Sequence, residues 1–167
     1  MSKRNLIVGV IILGLAIFFL RPYLISSDEK NIEDLIQDIQ SSIQYKTQLQ
    51  PIQILKRFQR VHSYLASDFQ ATAIDKDKQR VVSDQEAIKN AALTGARYFP
   101  RVEITRLLGT INISGSSAQS SFKLIVDGSD MYGVKFRELF DVKLDLSKAQ
   151  DKWLIKLLTV ERQTPEN

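Results

Sequence analysis

The feature that most constrains the fold is an alternation of apolar and polar residues between Tyr132 and Leu146. Successive side chains of a β-strand point to opposite faces of a sheet, so this alternation predicts one long, half-buried strand. Its predicted buried face consists of Tyr132, Val134, Phe136, Glu138, Phe140, Val142, Leu144 and Leu146. Such a face has to be covered by a second layer of secondary structure.

Weaker patterns around this segment predict further strands. From Arg101 onward the apolar residues recur at every second position, with a slip near Gly109 that indicates a bulge. Asp127-Gly128 is typical of a hairpin turn. The stretch from Trp153 to Val160 is apolar on both faces, which predicts a strand inside the sheet. We therefore expect about four main antiparallel strands, the third unusually long.

The region before these strands has its apolar residues spaced as in helices. Apolar residues at helical intervals predict a first helix over Asp28–Lys46. Proline is favoured in the first turn of a helix, so a second helix can begin at Pro51, with an apolar stripe that continues through Leu65 and Phe69. The spacing does not decide between two helices and one kinked helix.

A third helix is predicted after two short strands near Asp75–Lys78. Ser83-Asp84-Gln85-Glu86 has the pattern of a capping box, which marks a helix start. The helix should end before Pro100, because the residue preceding a proline avoids helical angles.

An apolar run near the N-terminus predicts a membrane anchor. Leu6 to Leu20 contains only apolar residues and glycine, and an extension to Ile25 reaches the ~20 residues that a spanning helix needs. A cleaved signal peptide is the alternative, but no pair of small residues of the A-x-A type follows the run. We interpret residues 6–25 as an uncleaved transmembrane anchor.

The flanking charges predict the orientation of this anchor. Lys3 and Arg4 precede the run, whereas Arg21 and Lys30 on the other side are offset by Asp28 and Glu29. The positive-inside rule places residues 1–5 in the cytoplasm and a single domain, residues 26–162, outside it, in the periplasm if the source is bacterial. Residues 163–167 are interpreted as a frayed tail, and the lipid bilayer is the first predicted partner.

The charge distribution argues against nucleic acid as a partner. The chain has 167 residues and a net charge of +4, but residues 1–27 hold three basic residues and no acidic ones. The rest of the chain has a net charge of only +1, whereas nucleic-acid binders concentrate positive charge on the folded domain. The chain has no cysteine and one histidine, so we expect no metal site and no cofactor.

The order of elements, helices first and then a long bent sheet, resembles the nuclear transport factor 2-like superfamily over about residues 30–162. Two short segments are similar to that family: Ser83-Asp84-Gln85-Glu86-Ala87-Ile88 at the start of the third helix, and Asp151-Lys152-Trp153-Leu154-Ile155 in the final hairpin. The resemblance implies an α+β cone in which a bent antiparallel sheet of about four main strands wraps around three helices, here following a transmembrane helix. The superfamily includes isomerases, dehydratases, ligand binders and adaptors, and no catalytic residue can be transferred from it.

Two groups of residues are candidates for binding. A pocket inside the cone could be lined by Glu138, Tyr64, Asp68, Tyr132 and Phe136. Tyr64 and Asp68 would share a helix face if the second helix reaches them. A basic surface cluster could form from Lys56, Arg57 and Arg60, which would suit lipid head groups or an acidic partner, or be an ordinary solvated face.

Glu138 is the most informative of these residues, because it interrupts an otherwise apolar strand face. A carboxylate there needs a partner such as Arg106, access to water, or protonation. It is therefore either one half of a structural ion pair or a pocket acid that meets a ligand.

Two functional interpretations follow. The first is a single-pass envelope protein whose non-enzymatic domain binds a protein partner as an accessory subunit of a membrane complex. The alternative is a small apolar ligand-binding protein, or an enzyme, that uses the cone interior near Glu138. Both interpretations are compatible with an oligomer.

Overall fold

The structure is a computed structural model that describes residues 27–76 and 78–163. These residues form an α+β domain, as predicted, with three helices and seven strands. The helices are α1 (Ser27–Ile43), α2 (Pro51–His62) and α3 (Gln85–Tyr98). The strands are β1 (Leu65–Asp75), β2 (Lys78–Val82), β3 (Arg101–Arg106), β4 (Thr110–Ser114), β5 (Ser117–Ser129), β6 (Lys135–Ala149) and β7 (Lys152–Arg162).

The predicted anchor at residues 6–25, the cytoplasmic segment before it and most of the predicted tail lie outside the described residues. Among the helices that the structure describes, none is both long and apolar enough to cross a membrane.

The sheet is mixed, which corrects the prediction of about four antiparallel strands. Its strands follow the order β2-β1-β7-β6-β5-β3, and β4 also pairs with β5. The neighbouring strands are antiparallel except β1 and β7, which are parallel. β1 was the strand that the pattern assigned to the second helix, because Leu65 and Phe69, four residues apart, suit a helix face equally well. The hydrogen-bonded pairing with β7 makes this segment a strand.

Helices α1 and α2 are two separate helices. α1 ends at Ile43 rather than at Lys46, and α2 begins at Pro51 as predicted. Between them Tyr45 leaves the helical path and exchanges two backbone hydrogen bonds with Val102 of β3, with N···O distances of 2.7 and 2.8 Å. This bridge ties the connection between the helices to the edge of the sheet.

The third helix begins and ends as predicted, although Asp84 caps it and not Ser83, the first residue of the predicted capping box. The carboxylate of Asp84 accepts hydrogen bonds from the backbone N–H groups of Glu86 and Ala87. The helix ends at Tyr98, two residues before Pro100.

The hairpin between β5 and β6 turns later than predicted. Asp127 and Gly128 lie inside β5, and the turn is formed by residues 130–134. Asp130 closes it by accepting hydrogen bonds from the N–H groups of Tyr132 and Val134. Gly128 is required in the strand for another reason, since a Cβ there would lie 2.5 Å from the ring of Phe136. Tyr132 and Val134 are therefore in the exposed turn and not on the buried strand face.

The inner face of β6 and the apolar stripe of α1 form the core. The alternation predicted for β6 is confirmed over its second half, where Val142, Leu144 and Leu146 are buried. They share one cluster with Ile32, which is fully buried, and with the other core residues Leu35, Ile36, Phe69, Ala118, Trp153 and Ile155. This end of the domain is filled by apolar side chains.

Asp28 joins the start of α1 to the β6–β7 hairpin. Its Oδ1 accepts hydrogen bonds from Lys148 Nζ at 2.8 Å and from Trp153 Nε1 at 3.1 Å. The ammonium group of Lys148 lies 5.9 Å from the centroid of the Trp153 ring. These bonds, chiefly the one from Lys148, hold the pKa of Asp28 below its ordinary value.

This contact predicts a pH-dependent contribution to stability. Because the folded pKa of Asp28 is depressed, the contribution is present above the unfolded pKa of about 3.9 and is lost as the pH falls through the folded pKa. We expect Asp28→Asn to lower the melting temperature at pH 6, and this deficit to shrink toward pH 2.5. The fluorescence of Trp153, the only tryptophan of the chain, reports unfolding.

Asp34→Asn is the matched control, since Asp34 is exposed on the same helix. We expect Asp34→Asn to lower the melting temperature at pH 6 less than Asp28→Asn does. A deficit of Asp28→Asn that stays constant down to pH 2.5 would contradict the assigned contact.

Candidate functional site

The predicted pocket residues do not converge on one site. Tyr64 precedes β1 and Asp68 lies within it, so the helix face that the two were expected to share does not exist. Glu138 lies on the inner face of β6, and Phe136 begins that face. Tyr132 lies in the turn before β6.

Tyr64 is one member of a hydrogen-bond network that joins α1, α2 and the residue before β1. Its hydroxyl donates to Asp38 Oδ2 at 2.6 Å, and Arg60 Nε donates to the same oxygen at 2.7 Å. The bond from Arg60 lowers the pKa of Asp38, and the bond to Asp38 raises the pKa of Tyr64. All three side chains therefore have partners within the protein, which is the arrangement of a structural contact.

Asp68 lies apart from this network. Its Oδ2 is 3.0 Å from Lys156 Nζ, and both side chains are largely exposed. The ion pair, mainly through its hydrogen bond, lowers the pKa of Asp68. Asp68 therefore joins the neighbouring strands β1 and β7 at the surface.

Two members of the predicted basic cluster also make structural contacts. Arg57 donates to backbone carbonyl groups at the C-terminal end of α1, among them those of Ser42 and Gln44 at 3.2 and 2.8 Å. Such contacts satisfy carbonyl groups that a helix end leaves unpaired. Arg60 is bound to Asp38, as described above. The surface role predicted for Lys56, Arg57 and Arg60 stays a prediction.

Glu138 has a cationic partner, but a different one from Arg106. Arg162 of β7 donates to Glu138 Oε1 at 2.7 Å, and its guanidinium also lies 4.0 Å from Asp75. Arg106 is bound instead to Glu33 of α1 and lies over the Phe122 ring. The Glu138 side chain keeps 28% of its exposure, so this ion pair is within reach of water.

An apolar cleft of about 710 Å³ lies between α3 and the turn before β6. We call it the apolar cleft. It is lined by Asn90, Ala91, Thr94, Gly95, Tyr98, Phe99, Asp130, Met131 and Tyr132. The helical members, at positions 90, 91, 94, 95 and 98, repeat at intervals of three and four residues and therefore share one face of α3. Tyr98, Met131 and Tyr132 expose 54%, 54% and 82% of their surface.

A second cleft, of about 600 Å³, lies on the other side of the same turn. We call it the charged cleft. Its charged members are Arg101, Glu103, Asp127, Lys135 and Arg137. Phe136 lines it too and packs edge-on against Phe99 of the apolar cleft, with 5.3 Å between the ring centroids. Lys135 and Arg137 flank Phe136 on β6, so their side chains point to the sheet face opposite to its ring.

The polar groups of the apolar cleft are suited to orienting a ligand. They are the amide of Asn90, the hydroxyl of Thr94, and the phenol groups of Tyr98 and Tyr132. Asp130 Oδ1 is already occupied by backbone N–H groups of the turn. Within residues 27–76 and 78–163, no group of three His, Cys, Asp or Glu side chains could hold a metal ion.

Of the predicted pocket residues, Tyr132 lines the apolar cleft and Phe136 the charged cleft, but the α3 side of the apolar cleft was not predicted. The pattern that could have indicated it is a row of small residues, Ala91 and Gly95, on the polar face of α3 and next to Tyr98. That row leaves a depression on the helix surface, which becomes a cleft only when the β5–β6 turn lies beside it.

Comparison with solved structures shows which fold this is. The chain superposes on a type 2 hexachlorocyclohexane dehydrochlorinase with a TM-score of 0.65 and 10% identity, covering 83% of this chain and 86% of that one. It superposes on a protein described as a dehydratase of the NTF2-like family from Streptomyces avermitilis with a TM-score of 0.64 and 8% identity, covering 83% of this chain and 98% of that one. It also superposes on a ketosteroid isomerase-like protein from Erwinia carotovora atroseptica with a TM-score of 0.61 and 9% identity, covering 84% of this chain and 99% of that one.

These likenesses establish the nuclear transport factor 2-like fold, as the sequence predicted; at such low identity they establish the fold alone. No family model matches the sequence. No curated protein matches it significantly either.

The comparisons overturn the predicted function of a non-enzymatic, protein-binding membrane subunit. The neighbours named above are described as a dehydrochlorinase, a dehydratase and an isomerase-like protein, and not as membrane subunits. The single-pass localisation, the lipid and protein partners, and the lack of nucleic-acid binding stay predictions.

The Glu138–Arg162 pair predicts a modest effect of removing the charge. Both side chains are partly exposed, and such ion pairs contribute about 0.2–1 kcal/mol, against ~3 kcal/mol or more where a buried cation loses its partner. We expect Glu138→Gln to lower the free energy of unfolding by less than about 1 kcal/mol. Chemical denaturation at neutral pH measures this difference.

Glu161→Gln is the matched control, because Glu161 is an exposed residue on β7, next to Arg162. The expectation is wrong if Glu138→Gln lowers the free energy of unfolding by ~3 kcal/mol while Glu161→Gln does not. Arg162 would then behave as a buried cation that depends on Glu138.

Proposed function

We propose that this protein binds a small, largely apolar molecule in the apolar cleft between α3 and the β5–β6 turn. The observation that carries the proposal is the cleft itself, about 710 Å³ of space walled by exposed aromatic and aliphatic side chains. Ligand sites of proteins have volumes of roughly 300–1,000 Å³, apolar walls and few polar groups.

The exposure of the cleft walls supports the proposal. Tyr98, Phe99, Met131 and Tyr132 present a contiguous apolar surface to water, and such patches commonly mark binding sites. A bound ring would remove this surface from water, and the tyrosines can add aromatic contacts and a hydrogen bond. The polar groups at the helix side would fix the orientation of the ligand.

An enzyme that abstracts a proton is the second candidate, and Glu138 is the residue that favours it. It lies two residues after Phe136, on the same strand face, so its Cα is ~7 Å along the strand from that of Phe136. A carboxylate held by an arginine could act as a general base toward a ligand that extends there. Chloride release from hexachlorocyclohexane that Glu138→Gln abolishes would favour this candidate.

Filling the cleft from Gly95 tests the proposal directly. A Cβ at Gly95 would meet no heavy atom within 4 Å, so a tryptophan there can occupy the cleft without displacing the backbone. We expect Gly95→Trp to weaken the binding of a neutral apolar probe, methyl 2-naphthoate, about tenfold or more, as measured by the change in its fluorescence on titration.

Gly95→Ala is the control, since a methyl group leaves most of the cleft open. It should bind the probe as the wild type does and gain about 0.5–1 kcal/mol of stability, because glycine is unfavourable inside a helix. Equal binding by Gly95→Trp and the wild type would exclude the apolar cleft as the site.

A further inference from the structure

The cations near the β5–β6 turn lie on one face of the sheet. On β6, Lys135 and Arg137 flank Phe136, so their side chains are on the face opposite to its ring. Arg101 of β3 lies on the same face as Lys135, since both pair with the same residue of β5. The ring of Phe136 is on the other face, where it packs against Phe99 of the apolar cleft. The three cations of the charged cleft therefore point away from the apolar cleft.

Asp130 gives the apolar cleft a negative charge. Its Oδ1 accepts hydrogen bonds from the backbone N–H groups of Tyr132 and Val134, both at 2.9 Å. Its Oδ2 has no hydrogen-bond donor among the described residues, and the side chain is half-buried. No cation is among the described residues that line the cleft, although Arg97 lies in the last turn of α3. A ligand in this cleft therefore meets one carboxylate and no positive charge.

Three aromatic side chains line the same cleft. They are Tyr98 and Phe99 at the end of α3 and Tyr132 in the turn, and they expose 54%, 38% and 82% of their surface. The face of an aromatic ring is electron-rich and attracts a cation that lies within ~6 Å of the ring centroid. Rings and a carboxylate that line one cleft are the groups that bind organic cations.

We propose that the ligand is a small organic cation, an alkylated ammonium on an apolar body, with its charged group beside Asp130. This inference rests on the proposed function and adds the chemical class of the ligand. A primary ammonium has three N–H groups that need acceptors, whereas a quaternary ammonium has none. Ring faces and one carboxylate are enough to hold the quaternary form, so the largely apolar walls favour an alkylated cation.

The experiment compares two probes of similar shape, the N,N,N-trimethyl-2-naphthylammonium ion and N,N-dimethyl-2-naphthylamine, which is uncharged at neutral pH. Both are titrated into the full chain by calorimetry at about 0.15 M salt, which screens distant exposed charges. Exposed ion pairs contribute a small free energy, so Asp130→Asn should weaken binding of the quaternary probe about two- to fivefold and leave the amine unchanged. Asparagine keeps a carbonyl oxygen for the N–H groups of the turn.

Tyr132→Leu tests the aromatic part of the site. Leucine keeps an apolar side chain but removes the ring face, so binding of the quaternary probe should fall about two- to fivefold more than binding of the amine. Asp127→Asn is the matched control, because it removes the same charge from β5 on the sheet face of the charged cleft. It should change the binding of neither probe.

The outcomes separate the two proposals. Selective loss of the quaternary probe in Asp130→Asn and Tyr132→Leu, but not in Asp127→Asn, supports the cation site. Equal loss of both probes, no change in either, or the same loss in Asp127→Asn overturns the cation site and leaves the apolar cleft standing. Binding of the quaternary probe that Gly95→Trp does not weaken also overturns it, because the cation then lies elsewhere. If neither probe binds the wild type, both proposals fail.

Discussion

The pairing of β6 on both of its sides is the constraint on which the rest of the structure depends. This strand is hydrogen-bonded to β5 over its first part and to both β5 and β7 over most of its length. Because side chains alternate along a strand, the double pairing fixes which side chains point inward, and a slip by one residue would expose all of them. Helix α1 can then bury its apolar stripe on this face, with Ile32 at the centre.

The same strand explains where the candidate site lies. Its inner residues are buried from Leu146 to Val142 beneath α1, whereas Phe140, Glu138 and Phe136 are progressively nearer to the open end of the sheet and only partly buried. A carboxylate is costly in the filled part of the core and tolerable where Arg162 and water reach it. The Phe99–Phe136 ring pair, both clefts and Glu138 therefore lie at one end of β6, opposite the end that packs into the buried core.

Several sequence patterns were compatible with two different local structures, and at these positions the prediction differed from the structure. Leu65 and Phe69 suit a helix face or a partly buried strand, and only the parallel pairing with β7 selects the strand. Asp127-Gly128 has the composition of a turn, but its glycine is needed where the Phe136 ring crosses β5. Arg106 was the expected partner of Glu138, although a charge on a strand cannot indicate which distant cation it will meet.

The sequence by itself determined the fold class, the start of α2 at Pro51, the limits of α3 and the inner face of β6, because these depend on caps, prolines and a period that neighbouring residues set. Only the tertiary structure decided that the small residues of α3 lie beside the 130–134 turn and that Arg162 reaches Glu138. Those contacts join segments far apart in the chain, and no local pattern encodes the distance between them.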